Sequence, residues 1–174
     1  MPPITSNTRA ERSPGSGAKR TTGRSTNPHP MTSSNKNIRQ VRLRWSGHDL
    51  VFHGGADDGP QITVDGGSKE GPAPMQLLLL SVAGCMGIDI KMILEKSRVP
   101  LEQIDIEAIG ERAEDAPRRY LKIEFVCHVG GPTPADADKV RRAVELSRDK
   151  YCSVLHSLDP AMHVEVRVAE LDDT

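Results

Sequence analysis

Cysteine is scarce in this chain, with three among 174 residues, and no hydrophobic leader stands at its start. That pattern excludes the dense, even-numbered disulfide frameworks of small secreted domains and predicts a cytoplasmic protein with reduced thiols. Long uninterrupted apolar runs are lacking too. The most hydrophobic stretch, Leu77 to Leu94, is broken by Gly84, Gly87, Asp89 and Lys91. Two central charges are costly in a bilayer, so the stretch reads as a buried helix and no membrane partner is expected. Aromatic residues make up only 3% and hydrophobic residues 36% of the chain, but a polar N-terminal stretch dilutes both. The remainder has the composition of one globular domain, and 174 residues suit one core better than two. No internal repeat is present.

A basic face is also missing. The formal net charge is -1, yet residues 1–37 carry Arg9, Arg12, Lys19, Arg20, Arg24 and Lys36 against Glu11 alone. That stretch is +5, which leaves -6 for the rest. A mildly acidic domain offers nothing to a phosphate backbone, so nucleic acid is not an expected partner. The basic stretch by itself would hold polyanions only weakly.

Residues 1–36 are rich in Ser, Thr, Arg, Pro and Gly and have no hydrophobic periodicity. They cannot offset their ordering entropy by burial, which predicts a disordered tail followed by one domain over 37–174. The Arg and Ser bias is that of a transit peptide, but prolines interrupt any amphipathic helix drawn through it. Met31 is an alternative start of the chain.

Within the domain, Val41, Leu43 and Trp45 alternate with Arg42 and Arg44, and Ser46-Gly47-His48-Asp49 supplies a turn before Leu50-Val51-Phe52. This predicts a β-hairpin, with a third strand at Gln61–Asp65 and a loop over Gly66–Gly71. Pro74 suits the first turn of a helix running to about Lys96, ahead of Pro100. Strands are expected at Gln103–Arg112 and Tyr120–Val129, around the turn Asp115-Ala116-Pro117. Leu121, Ile123, Phe125, Cys127 and Val129 share one face of the second. Thr133-Pro134-Ala135-Asp136 predicts the cap of a second long helix, with an apolar stripe of Val140, Val144, Tyr151, Leu155 and Leu158. Asp159-Pro160 ends it, and Val164, Val166 and Val168 alternate as a last strand.

The cysteines divide into one plain case and two informative ones. Cys127 sits on the inward row of a strand and reads as core, while His128 points to the other face and reads as a surface residue. Cys85 and Cys152 each fall in a segment read as helix, 67 positions apart, so only the fold can bring them together. Their residue type makes a paired-thiol site the leading hypothesis. Cys85 is flanked by small residues in Ala83-Gly84-Cys85-Met86-Gly87, which equally suits close helix packing. Mid-helix, it gains little from the helix dipole, and a reactive thiolate would need a cation from elsewhere. A rival constellation pairs Cys85 with Asp89 and Cys152 with His156 at i, i+4 spacing, a ligand set that suits zinc. An unpaired Asp89 would instead disfavour a Cys85 thiolate.

Pro74-Met75-Gln76-Leu77 through Ala83-Gly84-Cys85, followed by Ile88-Asp89, resembles the OsmC/Ohr family, the osmotically inducible and organic hydroperoxide resistance proteins. Glu111-Arg112-Ala113-Glu114-Asp115-Ala116-Pro117-Arg118 and Lys150-Tyr151-Cys152-Ser153-Val154 are similar to its less characterised OsmC-like branch. The similarity spans about residues 38–171. It implies an α+β fold in which two long central helices pack on strongly bent antiparallel β-sheets, with two chains intertwined as a homodimer.

The resemblance also implies chemistry. Family peroxidases reduce organic hydroperoxides with a thiolate on the first helix, which Cys85 matches, and a resolving cysteine on the second, which Cys152 matches. A dithiol reductant, a dihydrolipoyl group in some members, completes the cycle. No cofactor and no metal are implied. Met75 stands where peroxidatic members carry a glutamate, followed by the neutral Gln76, and the position of their activating arginine falls near His48, with Arg42 and Arg44 on the preceding strand. The supporting positions expected around the thiols are therefore His48, Gln76, Ser81, Asp89 and Arg112, with Arg118 as another arginine in reach. The expected substrate is a small hydrophobic hydroperoxide. A different-class alternative is a non-catalytic member of the fold that buries a small apolar ligand at the dimer interface.

Overall fold

The computed structural model describes residues 37–169, so the expected disordered tail over 1–36 lies outside the described residues. The chain divides at Arg39, and the architecture below is that of the unit beginning at Gln40. Three strands come first, β1 (Arg42–Trp45), β2 (Val51–Gly55) and β3 (Gln61–Asp65). They pair antiparallel in the order β1-β2-β3, with Arg44 opposite His53 and Phe52 opposite Val64. The first turn is built as its composition demands: Gly47 takes a φ of 100°, and the Trp45 indole N–H donates to the carbonyls of His48 and Asp49. Leu50 belongs to that turn and is exposed, so the second strand starts one residue later than its apolar run suggests.

Helix α1 (Pro74–Lys96) follows. Pro74 occupies its first position, and the Gln76 side chain reaches back to accept the Ala73 amide proton at 2.8 Å, satisfying an otherwise unpaired donor. Val82, Met86, Ile90 and Leu94, four residues apart, are completely buried. Each such side chain contributes about 1.5–3 kcal/mol by leaving water. The helix is long and apolar enough to cross a membrane by length and composition alone, and this buried row packs into the core shared with the second helix and the second sheet.

That sheet holds β4 (Gln103–Arg112), β5 (Tyr120–Gly130) and β6 (His163–Val168) in the order β4-β5-β6. β4 and β5 pair antiparallel, but β5 and β6 run parallel, so the expectation of purely antiparallel sheets is corrected. The reason is topological. A helical crossover between two strands returns the chain in its original direction, whereas a tight hairpin reverses it. Ile123, Phe125, Cys127 and Val129 face the core as their alternation predicts. Leu121 does not: a bulge between Glu111 and Arg112 skips it in the pairing, so Leu121 is exposed and Tyr120 turns inward. The Tyr120 ring lies where any side chain on Gly110 would collide with it, and its hydroxyl donates to the Met75 carbonyl at 2.8 Å, tying the sheet to the start of α1.

The second helix departs most from its sequence reading. Thr133 precedes a single 3-10 turn at Pro134–Asp136 and makes no side-chain cap, and α2 itself covers only Ala137–Leu146. Ser147–Tyr151 then forms a π turn, closed by the Cys152 N–H donating to the Ser147 carbonyl at 2.9 Å. The wide turn takes one more residue than an α turn, so the buried face advances. Tyr151, expected on the inward stripe, is 47% exposed, and Cys152 takes its place with none of its surface exposed. Cys152 has ψ 90°, which places it at the end of the helix rather than within it.

Candidate functional site

The first half of the site is a regular helix. Val82 and Met86 anchor α1 in the core, which leaves Cys85 half-buried at the edge of the packed face. The second half is delivered by the π turn, which brings Cys152 against the same stretch of α1. Its sulfur faces the Val82 carbonyl oxygen at 3.9 Å, and Ser153 Oγ stands 4.0 Å from Cys85 Sγ. Both thiols are free, as is that of Cys127. Cys85 Sγ, Cys152 Sγ and a carboxylate oxygen of Asp89 all lie within 4.8 Å of one another.

Asp89 is held from the far side. Ser147, completely buried in the last turn before Cys152, donates its hydroxyl to Asp89 Oδ2 at 2.9 Å. Ser147 was not singled out from sequence. The signal for it is its place on the buried row Val140, Ala143, Val144, Ser147, where a hydroxyl would go unsatisfied without an acceptor on a facing element. A cavity of about 330 Å³ opens beside Asp89, lined also by Met92, Ile93, Lys96, Leu146 and Tyr151. Neither Cys85 nor Cys152 is among its lining residues.

Burial pushes the Cys152 thiol up to about 11, because a thiolate there would lose its water. The Leu155 backbone hydrogen bond opposes that rise, and the neighbouring Cys85 and Asp89 add to it. Cys127 is also pushed up to about 11, by burial alone. Among the described residues, no cationic side chain bonds either sulfur of the pair.

The remaining expected positions lie elsewhere in the chain. His48 stays in the first hairpin, with Nδ1 at 3.1 Å from Ser46 Oγ and Nε2 at 3.2 Å from Glu70 Oε1. Gln76 caps α1 and also accepts the Ser68 hydroxyl, about 13 Å along the helix from Cys85 by helical rise. Ser81 is one turn before Cys85 but returns its hydroxyl to the Leu77 carbonyl at 2.7 Å. Arg112 donates through Nε to the Arg118 carbonyl at 2.7 Å, and Arg118 to that of Glu114. Met75 packs its side chain against the core. His156 is exposed and outside the Cys85, Asp89 and Cys152 group, so the four-ligand metal set closes on three sides only. The His156 N–H still donates to the Cys152 carbonyl at 3.1 Å, so the i, i+4 backbone turn is present, but the imidazole stays exposed to solvent.

A family model for OsmC-like protein matches residues 66–167. Protein YhfA of Escherichia coli K12 is 38% identical over 126 residues, covering 72% of this chain and 92% of its own. A solved structure of a protein from Aquifex aeolicus VF5 shares 30% identity, covers 78% of this chain and 98% of its own, and superposes with a TM-score of 0.68. An organic hydroperoxide resistance protein OsmC from Legionella pneumophila has a TM-score of 0.56 at 16% identity, covering 78% and 99%, a likeness of fold alone. By its mixed α+β fold of two sheets and two helices, and by these matches, the chain belongs to the OsmC-like protein family.

Proposed function

We propose that the protein is a thiol-dependent peroxidase that reduces small hydrophobic hydroperoxides, with Cys85 as the attacking and Cys152 as the resolving thiol. The observation that carries this reading is the meeting of a half-buried and a fully buried sulfur, 67 positions apart in sequence, within 4.8 Å. The partly accessible thiol can meet a substrate, and the buried one can meet only the first. Attack by the Cys85 thiolate on ROOH breaks the O–O bond, leaving Cys85 as a sulfenic acid and releasing ROH after one proton is taken up. Cys152 then displaces hydroxide from that sulfur, forming the disulfide and water. A dithiol reductant returns both thiols. Met75 packs against the core, and neither His48 nor Arg112 bonds the pair within the chain, so none of these three positions supplies Cys85 with an activating partner from its own chain.

The working form is a cytoplasmic homodimer, intertwined and with bent sheets, without nucleic-acid or membrane partners. Two features support the dimer. Leu80, Gly84, Ile88 and Met92 form an exposed stripe along α1 at four-residue spacing, and an added Cβ on Gly84 would meet nothing within 4 Å. A mid-helix glycine costs about 1 kcal/mol relative to alanine, and close approach by a second chain would account for it. Val41, Leu43 and Trp45 on β1 are also largely exposed.

A second reading, binding of a small apolar ligand without turnover, is favoured by a cavity of about 680 Å³ between α1 and β4. Leu80, Ala83, Ile88, Val99, Ile104 and Ile106 are among its walls. The deciding measurement is consumption of cumene hydroperoxide in the presence of a dithiol, with mass analysis of the protein after one equivalent of peroxide. Turnover with a Cys85–Cys152 disulfide supports the peroxidase. No turnover and three unmodified thiols would sink it in favour of the binding protein.

A further inference from the structure

We propose that Asp89 is a proton relay for disulfide formation, taking the thiol proton of Cys152 as it attacks the Cys85 sulfenic acid and protonating the hydroxide that leaves. This rests on the thiol-peroxidase reading. The argument starts from what Cys152 needs. Its thiol has no exposed surface and burial holds its proton tightly, so water cannot take that proton directly. The Val82 carbonyl 3.9 Å from its sulfur can accept a hydrogen bond but is far too weak a base to remove the proton. Among the described residues, Asp89 is the one carboxylate grouped with both sulfurs, and its oxygen lies within 4.8 Å of each. A modest side-chain rotation or one bridging water closes that separation, as general bases commonly require in a resting site.

The surroundings of Asp89 suit a relay. Ser147 bonds Oδ2 and leaves the lone pairs of the other oxygen unclaimed by it, so one end of the carboxylate is pinned while the other can turn toward sulfur. The cavity bordered by Asp89, Lys96 and Tyr151 offers the carboxylate a route to water. The step balances. The Cys152 electron pair forms the S–S bond as the Cys85 S–O bond breaks, and the departing hydroxide receives one proton for the one Cys152 gave up. Asp89 is regenerated, the two electrons were already given up by Cys85 to the peroxide in the first step, resolution only shares that oxidation between the two sulfurs, and no further reagent is required. The relay acts only in the second step, since peroxide attack by Cys85 draws no proton from Cys152.

That confinement to one step provides the test. Wild type, Asp89→Asn and Cys152→Ser would each receive one equivalent of cumene hydroperoxide in rapid-quench experiments. Cys85 sulfenic acid is read as its dimedone adduct and disulfide by mass. Asparagine keeps the shape and an acceptor for Ser147, so folding should survive, and circular dichroism checks it. The expected result is a sulfenic acid that persists about a hundredfold longer in Asp89→Asn, the usual scale for losing a positioned base, with the initial attack not slowed. Equal sulfenic acid lifetimes in Asp89→Asn and wild type would overturn the relay while leaving the peroxidase intact. Both steps slowed together would also overturn it, since that marks a merely structural residue. No dimedone adduct in Cys152→Ser overturns the peroxidase reading and the relay with it. Should Asp89→Asn fail to fold, Ser147→Ala decides, because an unpinned carboxylate must slow resolution alone for the relay to stand.

Discussion

Cys127 and Cys152 are buried to the same extent, and burial pushes both thiols up to about 11, yet they sit in regions of different kinds. Cys127 lies on β5, where regular alternation supplies an apolar setting and burial is the only influence on its thiol. Cys152 lies where the helix ladder has just broken, and it faces a carbonyl, a second sulfur and a carboxylate. Regular structure hides a cysteine among like neighbours. The π turn hides one among groups it can react with or exchange protons with.

The strongest way to break this comparison is to count thiols after peroxide. One equivalent of cumene hydroperoxide should remove two of the three titratable thiols in wild type and both in Cys127→Ala. Cys85→Ser should form no intramolecular disulfide and lose peroxide turnover by about a hundredfold or more, the scale of losing a catalytic nucleophile. Loss of turnover in Cys127→Ala to the same degree would erase the distinction.

Serine substitution sharpens it next. Cys127→Ser puts a hydroxyl into an apolar strand face, at a cost of about 1–3 kcal/mol, whereas in Cys152→Ser the hydroxyl has the Val82 carbonyl within reach. Urea denaturation should rank Cys127→Ser as the less stable by about 1 kcal/mol.

Alkali offers a third view. Both folded thiols are raised above their ordinary value, so the unfolded chain ionises first. The stability they contribute is complete below about pH 9 and is lost as pH rises toward about 11. Thermal melts across that window should fall, and Cys127→Ala should flatten the fall by removing one of the two groups. The smallest effect is expected at Tyr151. Having been turned outward, it can be replaced by alanine for less than about 0.5 kcal/mol in a denaturation curve, whereas an inward Tyr151 would cost several times that.

Much of the framework was legible because short-range rules governed it. Pro74 marked the start of α1, alternation marked β4 and β5, and turn residues marked the hairpin. The inward row of β5 was readable from Ile123 to Val129 and failed at Leu121, where a bulge reversed the parity. Nothing local in Glu111-Arg112 or Tyr120-Leu121 announces a bulge. The candidate site was legible as two cysteines, and its supporting residues were legible only for Asp89. His48, Gln76, Ser81 and Arg112 all have polar side chains near a plausible motif, but His48 is occupied by Ser46 and Glu70, and the others by groups close to them in sequence. Such local bonds compete with any distant role and carry no signature in the residue type.

By itself the sequence determined the strands and first helix of the described domain and the burial of Cys127, because periodicity and turn chemistry act over a few residues. Only the tertiary structure decided that the second helix ends in a π turn, that β6 runs parallel to β5, and that Ser147 holds Asp89 beside two sulfurs. Those outcomes depend on which facing element supplies an acceptor or fills a gap, and a facing element is dozens of residues away.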